Sequence, residues 1–154
     1  TQAKLLRELG LLEPLRKRIE EGMPVLATCA GLILLAETVD GTGDLNNLDP
    51  AAAEKRLQVK GFGTLPITVR RNAYGRQLGS FHTEAQVAGI GTVPMTFIRA
   101  PYIASVGDGV EVLAVVEERI VGVKYKNQMA FSFHPELDPD MRIHKTFLSM
   151  ISNV

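Results

Sequence analysis

Three residues of this chain have types and spacing that suit chemistry: Cys29, His134 and Glu136. Cys29 is the only cysteine, and it interrupts an apolar stretch running from Pro24 to Ala36. Pro24–Ala27 reads as a buried strand. The run breaks at Thr28-Cys29-Ala30-Gly31 and resumes as Leu32, Ile33, Leu35 and Ala36 at helical spacing. A cysteine on a sharp strand-to-helix turn, with small neighbours, has the logic of a nucleophile elbow. Free N–H groups at the start of the helix favour a thiolate. The N–H of Ala30 is also placed to donate to an oxyanion formed at an attacked carbonyl. Against this, a lone cysteine is commonly an inert, buried small hydrophobe, so the elbow alone leaves the matter even.

The second group is Ser132-Phe133-His134-Pro135-Glu136. Met129–Phe133 alternates as a strand, and extending that period puts His134 and Glu136 on one side. A carboxylate there can take a hydrogen bond from one imidazole nitrogen and leave the other for a thiol. His134 would then act as base and afterwards as acid, with Glu136 fixing its tautomer. Alone, His-Pro-Glu is more simply a polar strand end. Together with the cysteine elbow it becomes a candidate triad.

These residues need elements to carry them. The N-terminal stretch is helical, with Ala3, Leu5, Leu6, Leu9, Leu12, Leu15 and Ile19 at helical spacings interrupted by Gly10 and Pro14. Gly22 stops it before the strand at Pro24. Asp40–Asp44 and Asn46–Pro50 carry turn chemistry, and the residues after Pro50 suggest a helical turn or two. From Leu57 the texture is β: 65–70, 80–87, 93–98, 111–116, 119–124 and 128–133 are runs rich in β-branched or aromatic residues. Glu117-Glu118 and Lys126-Asn127 suggest hairpin turns. Asp138-Pro139 reads as a helix start, with Ile143, Phe147, Met150 and Ile151 on the apolar face of that helix. The order predicts one α/β domain over residues 1–154 with a mixed sheet.

Composition narrows the class. The 154 residues are 45% apolar, with 17 basic and 17 acidic residues and zero formal net charge. No basic run with interleaved aromatics points to nucleic acid, and no apolar run is long enough for a membrane. One cysteine and the absence of a signal-peptide pattern fit a soluble cytoplasmic chain. The histidines and cysteine lack ligand spacing, so no metal and no cofactor is expected. His82 is given no role, and His144 is expected to be exposed.

Thr28–Leu32 together with Phe133–Glu136 resembles the class I (triad) glutamine amidotransferases. Arg71–Gln77, Phe97–Tyr102 and Ser132–Leu137 are similar to the glutaminase subunits of pyridoxal 5′-phosphate synthase, essentially from Thr1 to the C-terminus. The resemblance implies a three-layer, flavodoxin-like α/β fold with a mixed central sheet. It implies that Cys29 attacks the side-chain amide of L-glutamine, with His134 and Glu136 completing the triad. It implies that Arg71, Ile98 and Arg99 contact glutamine, and that ammonia passes to a synthase subunit in a hetero-oligomer, for vitamin B6 synthesis. A glutaminase serving another acceptor, such as an imidazole glycerol phosphate, and a non-catalytic docking subunit remain as alternatives. The family usually has Gly where this chain has Ala27, and an acidic residue where it has His82. Family members begin with a strand, a helix and a further strand leading to a Gly-Gly-Glu-Ser-Thr loop. Thr1-Gln2 resembles the residues just after that loop, so the cysteine strand is expected to have an open side.

Overall fold

The computed structural model describes residues 2–40, 61–71 and 80–152. The turn chemistry at 41–50, the helical turns after Pro50, and residues 72–77 of the Arg-Asn stretch lie outside them.

The N-terminal helical pattern forms two helices, α1 (Gln2–Glu8) and α2 (Leu12–Glu20), parted at Gly10, whose φ of 67° ends α1. Pro14 is tolerated because it falls in the first turn of α2, where its missing N–H has no helical acceptor. Strand β1 (Val25–Thr28) leads into α3 (Ala30–Leu35), followed by β2 (Ala36–Asp40). The sequence places Ala36 on the helix. It instead opens a strand, because 36–40 pairs in parallel with β3 (Leu65–Arg70).

The remaining strands are β4 (Ser80–Val87), β5 (Gly91–Ile98), β6 (Tyr102–Val106), β7 (Glu111–Val116), β8 (Arg119–Tyr125) and β9 (Gln128–Phe131). Strands β2 and β6 were not expected from sequence. Their short lengths and half-polar faces give little alternation to read. Glu117 and Glu118 turn β7 into β8 with φ of 49° and 62°, as a two-residue hairpin of primed type requires. Lys126, at φ 51°, turns β8 into β9.

The main sheet is mixed, in the order β1-β9-β8-β6-β3-β2, with β7 along the other edge of β8. β1–β9 and β2–β3 are the parallel pairs. On its other side β1 has no partner strand among the described residues. One sheet face packs with α2 and α3 in a core that includes Leu12, Ile19, Ala27, Leu32, Leu35 and Ala130. The opposite face, carrying Met129 and Phe131, packs with Met95 and Phe97 of the β4–β5 hairpin and with Ile143 of the C-terminal helix α4 (Arg142–Ser152). This is the mixed-sheet, layered α/β architecture anticipated.

Two local readings change at the C-terminus. β9 ends at Phe131, and a 3-10 turn (Pro135–Leu137) follows His134. Asp138 does not cap α4; Asp140 accepts from the Arg142 backbone N–H at 3.0 Å. His144 is half-buried rather than exposed, with its Nδ1 out of contact with solvent. None of the described helices is long and apolar enough to cross a membrane.

Candidate active site

Cys29 stands where β1 stops and α3 begins, with φ 48° and ψ −103°. A non-glycine residue with positive φ is strained, and the surrounding structure must hold it there. Here the hold is visible. β1 is zipped to β9 from Val25↔Gln128 to Thr28↔Phe131, and the Cys29 N–H donates to the Phe131 carbonyl at 2.9 Å. Behind the turn, a Cβ built on Gly31 would lie 3.2 Å from the Ala27 Cβ. The departure to Ala27 therefore fits because residue 31 carries no side chain.

The parallel pairing brings the histidine strand beside the cysteine strand. His134 Nδ1 meets Glu136 Oε1 at 2.6 Å, leaving Nε2 as the nitrogen able to take a proton. The sequence places this pair by strand alternation. It forms instead through the 3-10 turn, which folds Glu136 back toward its own histidine.

The thiol is not the ready thiolate that a helix terminus suggests. Burial pushes the Cys29 pKa up; the Ala30 N–H, hydrogen-bonded to the sulfur, pulls it down; the Glu136 charge pushes it up again. The upward influences prevail, so the resting nucleophile is a protonated thiol that needs a base. Its Sγ lies 3.8 Å from the Ile98 carbonyl oxygen, to which it can donate.

Beside Ala30 opens a cleft of about 420 Å³, whose walls include Ile33, Gly61, Arg71, Arg99 and Pro101. A Cβ at Gly61 would fall 2.1 Å from the Leu34 carbonyl oxygen, so only glycine permits this approach. Arg71 is half-buried, with its Nε buried and unpartnered among the described residues. Arg99 is exposed, at φ 45°. The structure thus places Ala30 and Ile98 against the Cys29 sulfur, Glu136 close enough for its charge to act on the thiol, His134 bonded to Glu136, and Arg71 and Arg99 along one cleft.

A profile of the SNO glutamine amidotransferase family matches residues 1–153. The chain belongs to that family. A pyridoxal 5′-phosphate synthase subunit PdxT from Desulfitobacterium hafniense strain Y51 is 61% identical over 153 residues, covering 99% of this chain and 69% of that relative. The PdxT of Streptococcus pneumoniae serotype 2 strain D39 is 48% identical over 150 residues, covering 97% of this chain and 70% of that one. A crystal structure of a glutamine amidotransferase superposes with a TM-score of 0.84 at 39% identity, over 97% of this chain and 72% of that chain. A putative GMP synthase protein from Thermoplasma acidophilum shares the fold, with a TM-score of 0.57 at 17% identity, over 96% of this chain and 67% of that one. The amidotransferase resemblance read from the cysteine and His-Pro-Glu stretches agrees with the family profile, the two PdxT relatives and the glutamine amidotransferase structure.

No site role is expected from sequence for Thr96 or Asp138, yet both border the histidine turn. Thr96 carries the only faint signal, a polar residue within the apolar alternation of β5.

Proposed function

We propose that this chain hydrolyses L-glutamine through Cys29, His134 and Glu136 and passes ammonia to a pyridoxal 5′-phosphate synthase subunit in the cytoplasm. The observation that carries the reading is the strained cysteine elbow, set one parallel strand away from a histidine in 2.6 Å contact with a glutamate.

His134 Nε2 takes the thiol proton and the thiolate attacks the amide carbon of glutamine. The Ala30 N–H turns from the sulfur to the oxyanion of the tetrahedral adduct. As the C–N bond breaks, the imidazolium gives its proton to the leaving nitrogen, releasing ammonia and leaving a glutamyl thioester. His134 then deprotonates a water that attacks the thioester, and glutamate departs as the thiol is re-formed. Glu136 holds Nδ1 and stabilises the imidazolium in both halves. Arg71, whose buried Nε lacks a partner among the described residues, suits the α-carboxylate of glutamine. Arg99 lines the same cleft, and the Ile98 carbonyl lies by the thiol. The synthase partner is favoured over another acceptor because the relatives above carry the PdxT subunit name along nearly all of this chain.

The test is glutamate release by the wild type and by Cys29→Ala, each with and without the pyridoxal 5′-phosphate synthase subunit. The wild type should turn over faster with the synthase subunit. Cys29→Ala should release none while still binding glutamine. Retained hydrolysis in that variant would overturn the mechanism, and a rate indifferent to the synthase subunit would overturn the partner.

A further inference from the structure

Against the histidine turn lies a polar cluster that the chemistry above leaves unused. Thr96 on β5 touches both ends of the segment 134–138. Its carbonyl accepts from the His134 N–H at 2.8 Å, and its hydroxyl donates to Asp138 Oδ2 at 2.9 Å. Within the segment, the Leu137 N–H reaches the His134 carbonyl at 3.2 Å and the Asp138 N–H reaches the Pro135 carbonyl at 3.3 Å. The turn is closed on itself and pinned at its start and finish to one residue of another strand.

The proton count fixes the direction of the chain of bonds. An ionised Asp138 can only accept, so the single hydroxyl proton of Thr96 goes to it. Thr96 Oγ1 then has only lone pairs for His82 Nδ1, 3.0 Å away, and that nitrogen must carry the proton. His82 stands directly opposite Thr96 in the β4–β5 ladder, and its Nδ1 is 3.8 Å from Asp138 Oδ1. The Asp138 side chain is only 11% exposed. A carboxylate so covered is held by these partners and is costly to leave without them.

The cluster bears on catalysis through what it holds. Glu136 is 46% exposed, and among the described residues its carboxylate contacts His134 alone, so its aim follows the turn. Thr96 also lies two residues before Ile98, whose carbonyl faces the thiol, so the carbonyls of one edge of β5 touch both the base turn and the nucleophile. We propose that Thr96 and Asp138, with His82 as the outer donor, are positioning residues that hold the His134–Glu136 pair in register with Cys29. The inference rests on the glutaminase reading and adds to it a device built from residues that touch no substrate.

Thr96→Val keeps the shape and the carbonyl bond to His134 but removes the hydroxyl. A misplaced base costs rate rather than binding, so kcat should fall roughly tenfold to a hundredfold while KM stays within about twofold. Thr96→Ser, which returns the hydroxyl, should restore kcat. Asp138→Ala should match Thr96→Val, and the double variant should be no worse than either, since both remove one link. All are assayed on the full chain with the synthase subunit present, alongside thermal melting. A Thr96→Val enzyme with normal kcat, whether or not its melting point drops, overturns the inference; so does a Thr96→Ser enzyme as slow as the valine variant. Should Thr96→Val not fold, Asp138→Ala decides, with normal kcat overturning and lowered kcat at unchanged KM supporting. A wild type that releases no glutamate would instead bring down the glutaminase reading itself.

Discussion

The cysteine side and the histidine side of this site are held in place by different means. Cys29 is fixed mostly by its own backbone and its immediate neighbours, through its positive φ and the Ala27–Gly31 crossing, on a strand that is zipped to β9. His134 and Glu136 are fixed from a distance. Thr96 binds both ends of their turn, and beneath it Phe97 and Phe131 pack on Phe133 with ring centroids 5.6 and 5.1 Å away. The two sides also rest on different cores, Ala27, Leu32 and Leu35 under the elbow, and Phe97, Phe131, Phe133 and Ile143 under the histidine. A nucleophile held by sterics should respond to changes of size, and a base held by polar contacts to changes of charge and hydrogen bonding.

The strongest way to break that comparison is Glu136→Gln. The variant keeps the length and an acceptor oxygen, so the turn should survive, but it cannot stabilise an imidazolium. We expect kcat to fall by roughly a hundredfold to ten-thousandfold with little change in KM. The thiol should respond in the opposite sense. The Glu136 charge helps hold the Cys29 pKa up, so its removal should move the pH midpoint of Cys29 alkylation downward. A more acidic thiol in a slower enzyme would separate the readiness of the nucleophile from the work of the base. An effect confined to KM would mean that Glu136 binds substrate instead.

The same contrast explains what could be read from the sequence. The elbow was legible because its causes lie within a few residues: an apolar strand, small residues at 27, 30 and 31, and a helical run. The histidine strand and the hairpin turns at Glu117-Glu118 and Lys126-Asn127 were legible from alternation and turn residues. The 3-10 turn was not, since nothing local distinguishes it from a strand continued to Glu136. Its outside ties run to Thr96, far off in sequence. Asp138 misleads for the same reason: Asp-Pro is good capping chemistry, but a tertiary partner for the carboxylate took precedence. The elevated thiol pKa was equally hidden, because burial is a property of the whole fold.

A smaller effect sharpens the steric side. Gly31→Ala adds a Cβ 3.2 Å from the Ala27 Cβ, closer than ordinary contact. Better helix propensity, up to about 1 kcal/mol, offsets overpacking of about 1 kcal/mol or more. Stability should therefore change little while the elbow shifts. We expect a several-fold loss of glutaminase rate, recovered when Ala27→Gly is added to restore the space. Equal rates in the single and double variants would show that the elbow tolerates size after all.

The smallest effect tests the outermost tie of the histidine side. Arg142, at the start of α4, bonds back to the Ile90 and Thr92 carbonyls beside the β4–β5 turn. Asp140 aims it, with its carboxylate 3.1 Å from Nε and 2.6 Å from Nη2. The Arg142 side chain first, and its backbone N–H next, hold the Asp140 pKa down from 3.8 to about 2. A carboxyl whose pKa is lower in the folded state stabilises fully above its unfolded value and loses that contribution as pH falls through the folded one. Asp140→Asn retains a capping oxygen but not the charge, so the difference between the two proteins reports the ion pair. Urea midpoints should differ slightly near neutral pH, with the wild type higher. The gap should narrow as pH drops below about 5 and close only below about 2. Added salt should shrink it at every pH, because the pair lies at the surface. The same titration on Gly31→Ala should leave its offset from wild type flat, since no charge is involved there. An Asp140→Asn gap that is equally flat with pH would show that Asp140 acts through its cap alone, and that charge plays no part in anchoring α4 to the hairpin.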